Sequence, residues 1–282
     1  MSNLSRLLPG ITAMYAALKS LALELYRRDR FLALLAALCL LGVFVMLIPL
    51  ALDTRQVMGV NPWVKPIKFT ASFGMYFATL GWLLGYLPGP RRQLNIISWV
   101  TGLCVLIEAP PLILQAARGV ISHFNAASTI DFTIYLVMGA GAFTQAAMLA
   151  WTLVLFCTRK VELPRLPLYG IRIGMALWLV GILPAITMTI IGGHNVGVAD
   201  GGPGLPLLNW STLGGDLRIA HFLGLHAIQV LPLVGLLLYR MRNRLPARGT
   251  QVAFVLIAAG YTLVMVFTFA QAMAGMPLIA WN

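Results

Sequence analysis

The chain has 282 residues, of which 60% are hydrophobic and 10% are charged. A soluble domain of this length needs more charged residues to cover its surface, so the composition excludes that class and indicates a protein that crosses a membrane several times. The net charge of +12 does not indicate nucleic-acid binding here, because the cytoplasmic loops of membrane proteins accumulate Lys and Arg.

The first predicted element is an amphipathic helix that precedes the membrane spans. Its apolar residues, among them Leu18 and Leu21, recur at helical spacing, and the segment ends in basic residues such as Arg28. A helix of this kind lies along the membrane surface with its apolar face in the lipid. We therefore expect residues 1–30 to form a cytoplasmic interfacial segment and residues 31–282 to form one transmembrane domain.

Seven apolar segments follow, and each approaches the roughly 20 residues that a helix needs to cross a bilayer. Turn residues separate them, as in Pro88-Gly89-Pro90 after the second segment. The fold class is therefore predicted to be all-α, a bundle of seven transmembrane helices preceded by the interfacial helix. The predicted spans lie near residues 31–51, 67–87, 95–117, 129–156, 168–190, 216–239 and 250–273.

The basic residues predict the orientation of this bundle. Fifteen of the 20 Lys and Arg residues fall on the side of the N-terminus, and only five fall on the other side. Because cytoplasmic loops are the basic ones, the N-terminus is expected inside and the C-terminus outside. The expected location is a bacterial inner membrane, which the chain crosses several times. The five basic residues on the outer side are Arg55, Lys65, Lys68, Arg118 and Arg218.

All four histidines fall in the predicted outer half. Imidazole together with a carboxylate can bind Zn²⁺, Cu²⁺ or Fe²⁺, so a divalent transition metal is the first cofactor expected, and a b-type haem is the second. The spacing is not that of a known metal motif, since the chain lacks two histidines four residues apart. The predicted metal ligands are His123, His194, His221 and His226, with a carboxylate from Glu108, Asp131, Asp200 or Asp216.

Polar residues also form stripes on two predicted spans. An ionisable group inside a span normally faces the protein interior or a wet cavity, and helical spacing places several such residues on one face of the third and of the sixth span. We expect an outward-facing cavity between these spans, with Glu108 near its floor and the glycine-rich segment 192–216 as a lid. The alternative for Glu108 is an ion pair with Arg or Lys that only joins two helices. The predicted catalytic residues are Glu108 and His226, and the predicted substrate-binding residues are Lys68, Gln115, Arg118, Arg218 and Gln229.

Three functions stay open on this pattern. The first is a membrane enzyme or redox protein with a metal- or haem-bearing site, the second is a transporter of a small solute or of protons, and the third is a ligand-binding sensor or assembly subunit. Whether the chain is an enzyme is therefore not decided by its sequence. The expected partners are the lipid bilayer and a small or lipid-derived molecule, and no nucleic acid is expected.

Overall fold

The computed structural model describes residues 4–244 and 246–280, without the side chains of residues 4–11. Within these residues the regular structure is helical, apart from one antiparallel pair of two-residue strands. A 3₁₀ turn over Met241–Asn243 follows α8. The elements are α1 (Leu4–Arg28), α2 (Arg30–Leu52), α3 (Val64–Leu84), α4 (Arg91–Arg118), α5 (Thr129–Thr158), α6 (Arg165–Val180), α7 (Ile182–Ile191), β1 (Asn195–Val196), β2 (Gly215–Asp216), α8 (Leu217–Arg240) and α9 (Ala247–Met273).

Six helical stretches of the described chain are long and apolar enough to cross a membrane, which indicates a multi-pass membrane protein. The predicted second span, residues 67–87, coincides with α3, but α3 is less apolar and is not among the six. The seventh span, the orientation and the surface position of α1 therefore remain predictions. The six stretches are Arg30–Leu52, Arg91–Arg118, Thr129–Thr158, Arg165–Ile191, Leu217–Asn243 and Ala247–Met273.

Short polar residues and glycines fix where several helices begin and end. Asp29, Ser128 and Asp216 each accept a hydrogen bond from a backbone N–H two or three residues later, which caps α2, α5 and α8. Gly119 and Gly192 follow α4 and α7 with φ of 71°, the left-handed conformation in which helices commonly end. The loops at this end of the bundle therefore leave the helices in defined directions.

We call this end the histidine end of the bundle, because His123 and His194 lie in its loops. Here α2, α4 and α7 finish and α3, α5 and α8 begin, so the loops 53–63, 119–128 and 192–216 meet. The last loop carries the strand pair β1–β2, in which Asn195 pairs with Asp216. The predicted glycine-rich lid thus has a small ordered base.

The predicted fifth span consists of two helices. Gly181 separates α6 from α7, and Pro184 in the first turn of α7 has no backbone N–H to donate to the turn before it. A Cβ atom at Gly224 of α8 would collide with the backbone of Gly181, so the two backbones are in close contact at the break.

Close packing continues along the whole of the α6–α8 pair. Gly170 and Gly174 are four residues apart on α6, and Cβ atoms at these positions would meet the backbone of α8; at Gly174 the nearest atom would be the carbonyl oxygen of Ala227, at 2.6 Å. Small residues at this spacing let membrane helices approach closely. Around this pair, α8 also packs on α7 and α9, whereas α4 packs on α5, α3 and α2.

We expect Gly174→Ala to lower the free energy of unfolding by about 1–3 kcal/mol, the usual penalty of inserting a methyl group where only backbone can move. A denaturant titration in one fixed detergent measures this change. Gly260→Ala is the matched control, because a Cβ at Gly260 of α9 meets no atom within 4 Å, and the change should be neutral or slightly stabilising. Equal effects of the two substitutions would show that α6 and α8 are not closely packed.

The helix α1 is attached to the rest of the fold at its C-terminal end. The Arg28 guanidinium lies 4.5 Å from the ring centre of Trp82 and 4.4 Å from that of Tyr86. It also donates to the Trp82 carbonyl (3.1 Å) and pairs with Glu24 (2.9 Å). These contacts place α1 against the end of α3 that is remote from the histidine end.

Candidate functional site

The predicted site residues fall into three separate places. One group lies at and below the histidine end between α3 and α8, a second lies where α4 meets α5, and Glu108 lies deep in the bundle. Since α4 and α8 have different packing partners, the cavity expected between the third and sixth spans is not where the histidines meet. The group between α3 and α8, which we call the groove, contains His123, His194, His221, His226, Lys68, Arg218 and Gln229.

Three cationic side chains converge at the mouth of the groove. Lys65 and Lys68 are three residues apart, so they share one face of α3, and both interact electrostatically with Arg218 at the start of α8. The Lys65 ammonium lies 5.8 Å from the ring centre of Phe69 and makes no hydrogen bond or ion pair among the described residues. Lys68 donates to the Leu208 carbonyl (3.0 Å). The predicted site did not include Lys65, although its spacing of three residues from Lys68 indicates that both lie on one face of α3.

The α2–α3 loop fixes the position of these lysines. The Asn61 amide donates to the Asp53 carbonyl (2.6 Å), and the Trp63 indole donates to the Asp53 carboxylate (3.0 Å). Arg55 binds the same carboxylate and donates to the Ala117 carbonyl of α4 (3.1 Å). Hydrogen bonds from Arg55 and Trp63 hold the pKa of Asp53 below its usual range. These hydrogen bonds of Asn61 and Trp63, in the segment 61–66 (Asn-Pro-Trp-Val-Lys-Pro), therefore anchor the start of α3.

Both carboxylates near the cations already have full sets of partners. Asp216 accepts hydrogen bonds from the Ser211 N–H (2.8 Å), from the Arg218 N–H (3.0 Å) and from the Arg218 guanidinium (2.6 Å). Asp200 accepts from the backbone N–H groups of His194 and Asn195, at 2.9 and 3.0 Å. Because these oxygens are engaged elsewhere, neither carboxylate pairs with Lys65 or Lys68.

His194 is held in one orientation by Asp200. Its Nδ1 lies 2.6 Å from the Asp200 carboxylate, and since a carboxylate only accepts, Nδ1 carries the proton and Nε2 has the free lone pair. Burial and the charges of Lys65 and Arg218 lower the pKa of His194 although Asp200 opposes them. The ring is therefore neutral at pH 7, with an acceptor nitrogen available.

His221 is held in the same manner by the break between α6 and α7. Its Nδ1 lies 2.7 Å from the Gly181 carbonyl oxygen. A carbonyl also only accepts, so Nδ1 is again the protonated nitrogen and Nε2 the free one. His221 interacts electrostatically with His194 and with His226, so the two fixed imidazoles are near neighbours.

His123 completes this group from the α4–α5 loop. Its Nδ1 is 3.1 Å from the Ser122 hydroxyl, and its ring packs near Phe69, Phe124 and Tyr135, with centre distances of 5.6–6.2 Å. Burial, followed by the charge of Lys65, lowers the pKa of His123 well below its ordinary value. Phe124 also contacts the ring of His194, at 5.2 Å, so aromatic side chains tie the two loop histidines together.

The deeper part of the groove is lined by α8 and α3. His226 packs on Phe222 with ring centres 4.3 Å apart, and one turn below, the Gln229 amide donates to Thr79 of α3 (3.3 Å). The Oε1 atom of Gln229 is buried without a hydrogen-bond partner in the described chain. On α3 the groove is lined by Lys65, Lys68 and Thr79, and these polar side chains make α3 less apolar than the six membrane-crossing stretches.

Gln115 and Arg118 do not belong to the groove. Arg118 donates to Asp131 (2.6 Å) and to Gln115 (2.6 Å), and Gln115 donates to Asp131 (2.8 Å). Ser128 donates to the second oxygen of Asp131 (2.7 Å). This closed network fastens the end of α4 to the start of α5. The expected substrate-binding role of Gln115 and Arg118 thus has no support, because both side chains are engaged with Asp131.

Glu108 is also separate from the histidines. Its carboxyl group packs on Gly141 of α5 and interacts electrostatically with Tyr76 and Cys104. No hydrogen bond or electrostatic interaction joins Glu108 to a groove residue in the part of the chain that the structure describes. A joint catalytic role with His226 therefore stays a prediction without geometric support.

The predicted metal site also lacks geometric support. Among residues 12–244 and 246–280, no three His, Cys, Asp or Glu side chains are arranged so that they can hold a metal ion. Three of the four carboxylates offered for the site, Asp131, Asp200 and Asp216, are engaged with other partners, and the fourth, Glu108, lies apart from the histidines. The metal prediction is accordingly not supported by this arrangement.

The groove combines three cations, at least two histidines with free Nε2 acceptors and an aromatic wall. This set can bind an anionic group and exchange protons with it. The chain matches no protein-family model, no curated protein and no solved structure, so its function has to be inferred from these residues.

Proposed function

We propose that the protein is a seven-span membrane protein that binds a small anionic molecule in the groove between α3 and α8. In this proposal α3 is the seventh span and the histidine end lies outside; the excess of basic residues at the other end supports that orientation. The low apolarity of α3 agrees with this role, because polar residues in a span normally face a cavity or the protein interior.

One observation carries the proposal: Lys65, Lys68 and Arg218 converge on a place where, among the described residues, neither lysine forms a salt bridge, although Asp200 lies near Lys65 and Asp216 near Lys68. A half-buried cation without a partner is unfavourable, and an anion supplied from outside removes that penalty. The cations now bind backbone carbonyls of the 203–210 segment, since Lys68 donates to Leu208 and Arg218 donates to Asn209. An anionic ligand would compete with these two carbonyls.

The histidines give this binding site a capacity for acid–base chemistry. His194 and His221 each present Nε2 as an acceptor while Asp200 and Gly181 fix the other nitrogen. A neutral imidazole fixed in one tautomer is the arrangement of a general base. We therefore favour an acid–base enzyme over a passive binding protein, with Lys65, Lys68 and Arg218 holding the anionic part of the substrate.

A metal- or haem-bearing form of the groove is the second candidate. It is favoured by the same fixed Nδ1 atoms, because histidines that bind metals usually donate their other N–H to a carboxylate or a backbone carbonyl. His194 and His221 would then be the first residues to test. Metal analysis and an absorption spectrum of the purified protein, compared with those of His221→Ala, examine this candidate; equal metal content in both would remove His221 from it.

The anion-binding proposal is tested with inorganic phosphate and acetate as probes. We expect at least one of them to raise the unfolding temperature of the purified protein in a saturable manner, because a ligand that binds only the folded state stabilises it. Chloride at equal ionic strength is the control for salt effects. No saturable stabilisation by either probe, or the same stabilisation in Lys68→Gln as in the wild type, would contradict the proposal.

A further inference from the structure

Glu108 lies in the middle part of α4, well away from both ends of the helix. At about 1.5 Å per residue, it is roughly 15 Å from Arg118 at one end of α4 and roughly 25 Å from Arg91 at the other. Only 8% of the residue is exposed. A methyl group at Gly141 of α5 would lie 2.7 Å from its Oε1 atom, so the carboxyl group fills the space that the glycine leaves.

Three polar atoms around this point have no hydrogen-bond partner among the described residues. They are the Glu108 Oε1, the Tyr76 hydroxyl and the Gln145 amide nitrogen. Tyr76 and Gln145 are 6% and 7% exposed. Gln145 is one turn after Gly141 on the same face of α5, and helical side chains point back toward the preceding turn, which is where the Glu108 carboxyl group lies.

Among the described residues, no cation forms a salt bridge or hydrogen bond with Glu108. The titratable groups that interact with it are Tyr76 of α3 and Cys104 of its own helix, and Gly141 of α5 packs on its carboxyl group. An ionised carboxylate without a counter-charge is among the least favourable groups in a membrane interior. The neutral carboxylic acid avoids that penalty, since it loses no charge–water interaction.

We propose that Glu108, with Tyr76 and Gln145, forms a proton-binding site in the interior of the bundle, separate from the groove. In one form of this site Glu108 carries the proton as a carboxylic acid. When the O–H bond breaks and the proton leaves to water, the electron pair stays on the carboxylate. The Tyr76 O–H and the Gln145 N–H are then two free donors that can stabilise it.

The two unpartnered donors beside Glu108 favour a proton-binding site over a carboxyl group that only fills space. A carboxyl group retained only for packing would need neither of the two unpartnered donors beside it, and a permanent ion pair would need a cation. The acid and the two donors together provide for both the protonated and the ionised form of the carboxyl group.

Infrared spectroscopy of the full-length protein in lipid tests the proposal. An ordinary glutamic acid, with a pKa of about 4.3, is ionised at pH 7. We expect wild-type protein labelled with [¹³C-carboxyl]glutamate to show, at pH 7, the carbonyl band of a protonated acid, shifted by the isotope. That band should disappear in Glu108→Gln and persist in the control Glu162→Gln, whose side chain is exposed in the α5–α6 loop.

Isotope labelling keeps the test valid even if Glu108→Gln does not fold, because the label separates glutamate from the buried aspartates Asp131 and Asp216. No labelled acid band in the wild type at pH 7 would overturn the proposal, as would a band that survives in folded Glu108→Gln. A band that appears only after Na⁺ is removed would overturn it as well, because Glu108 would then bind a metal cation in place of a proton.

Discussion

Asp216→Asn is expected to lower the free energy of unfolding by about 3 kcal/mol, the lower end of the range for removing one partner of a buried ion pair. The Asp216 side chain has no exposed surface, whereas 26% of the Arg218 side chain is exposed, so the unpaired Arg218 can recover part of its hydration. Asparagine keeps the shape and the capping oxygen of Asp216, but its amide nitrogen replaces the oxygen that accepts from Ser211 and Arg218. The loss therefore reports on the missing charge together with these two hydrogen bonds.

The effect should extend from stability to the site. Asp216 is part of the β1–β2 pair and begins α8, and the next residue, Leu217, donates its N–H to the His194 carbonyl (3.0 Å). Loss of the charge loosens the anchor of both His194 and Arg218. We therefore expect weaker anion stabilisation in the same variant.

A denaturant titration in one detergent measures the change, with Glu24→Gln as the matched control. Glu24 forms an ion pair with Arg28 in which its side chain is 40% exposed, and such pairs contribute at most about 1 kcal/mol. The double variant Asp216→Asn with Arg218→Met should recover part of the lost stability, because neither charge is then left unpaired. Additive losses in the double variant would show that the two residues do not form a pair.

The sequence predicts the helices of this fold well, for a simple physical reason. A membrane-crossing helix must satisfy its own backbone hydrogen bonds, so a long apolar run has one available structure. The break at Gly181 was missed because both halves of residues 165–191 are apolar, and apolarity alone cannot show where a helix is interrupted. It depends on the contact with Gly224 of α8, which is a tertiary feature.

The sequence also identifies much of the groove, but it predicts a single cavity for residues that the structure places apart. Lys68, Arg218 and the histidines were selected for the side of the membrane they share, and loops at one end of a bundle do meet. Glu108, Gln115 and Arg118 were added because they share one face of α4. Helical spacing gives the face of a helix but not its neighbour, and that face packs on α5, where Asp131 binds Arg118.

Lys65→Gln and Lys68→Gln should each weaken the binding of an anionic probe by about tenfold or more, since a hydrogen bond to a charged group contributes about 1.5–3 kcal/mol. Both substitutions keep a polar side chain of moderate length while removing the charge. Lys160→Gln is the control, because Lys160 is in the loop between α5 and α6 and is remote from the groove. Isothermal titration with phosphate, at constant ionic strength, measures the three affinities.

The pH dependence gives a second, independent readout for Lys65. Lys65 is half-buried beside the positive charges of Arg218 and Lys68, and an anion binds better to its protonated form. The affinity for acetate, a carboxylate that stays ionised near neutral pH, should therefore fall as the pH rises far enough to remove that proton.

The other groups near Lys65 should not produce this change. Asp200 stays ionised, and His194 and His123, with lowered pKa values, stay neutral above their ordinary value of 6.5. Lys65→Gln should consequently remove most of the decline if Lys65 is its source. A decline of the same size in Lys65→Gln would assign the decline to another group and would remove Lys65 from the anion site. A flat profile in the variant beside a falling one in the wild type would place the Lys65 ammonium in contact with the bound anion.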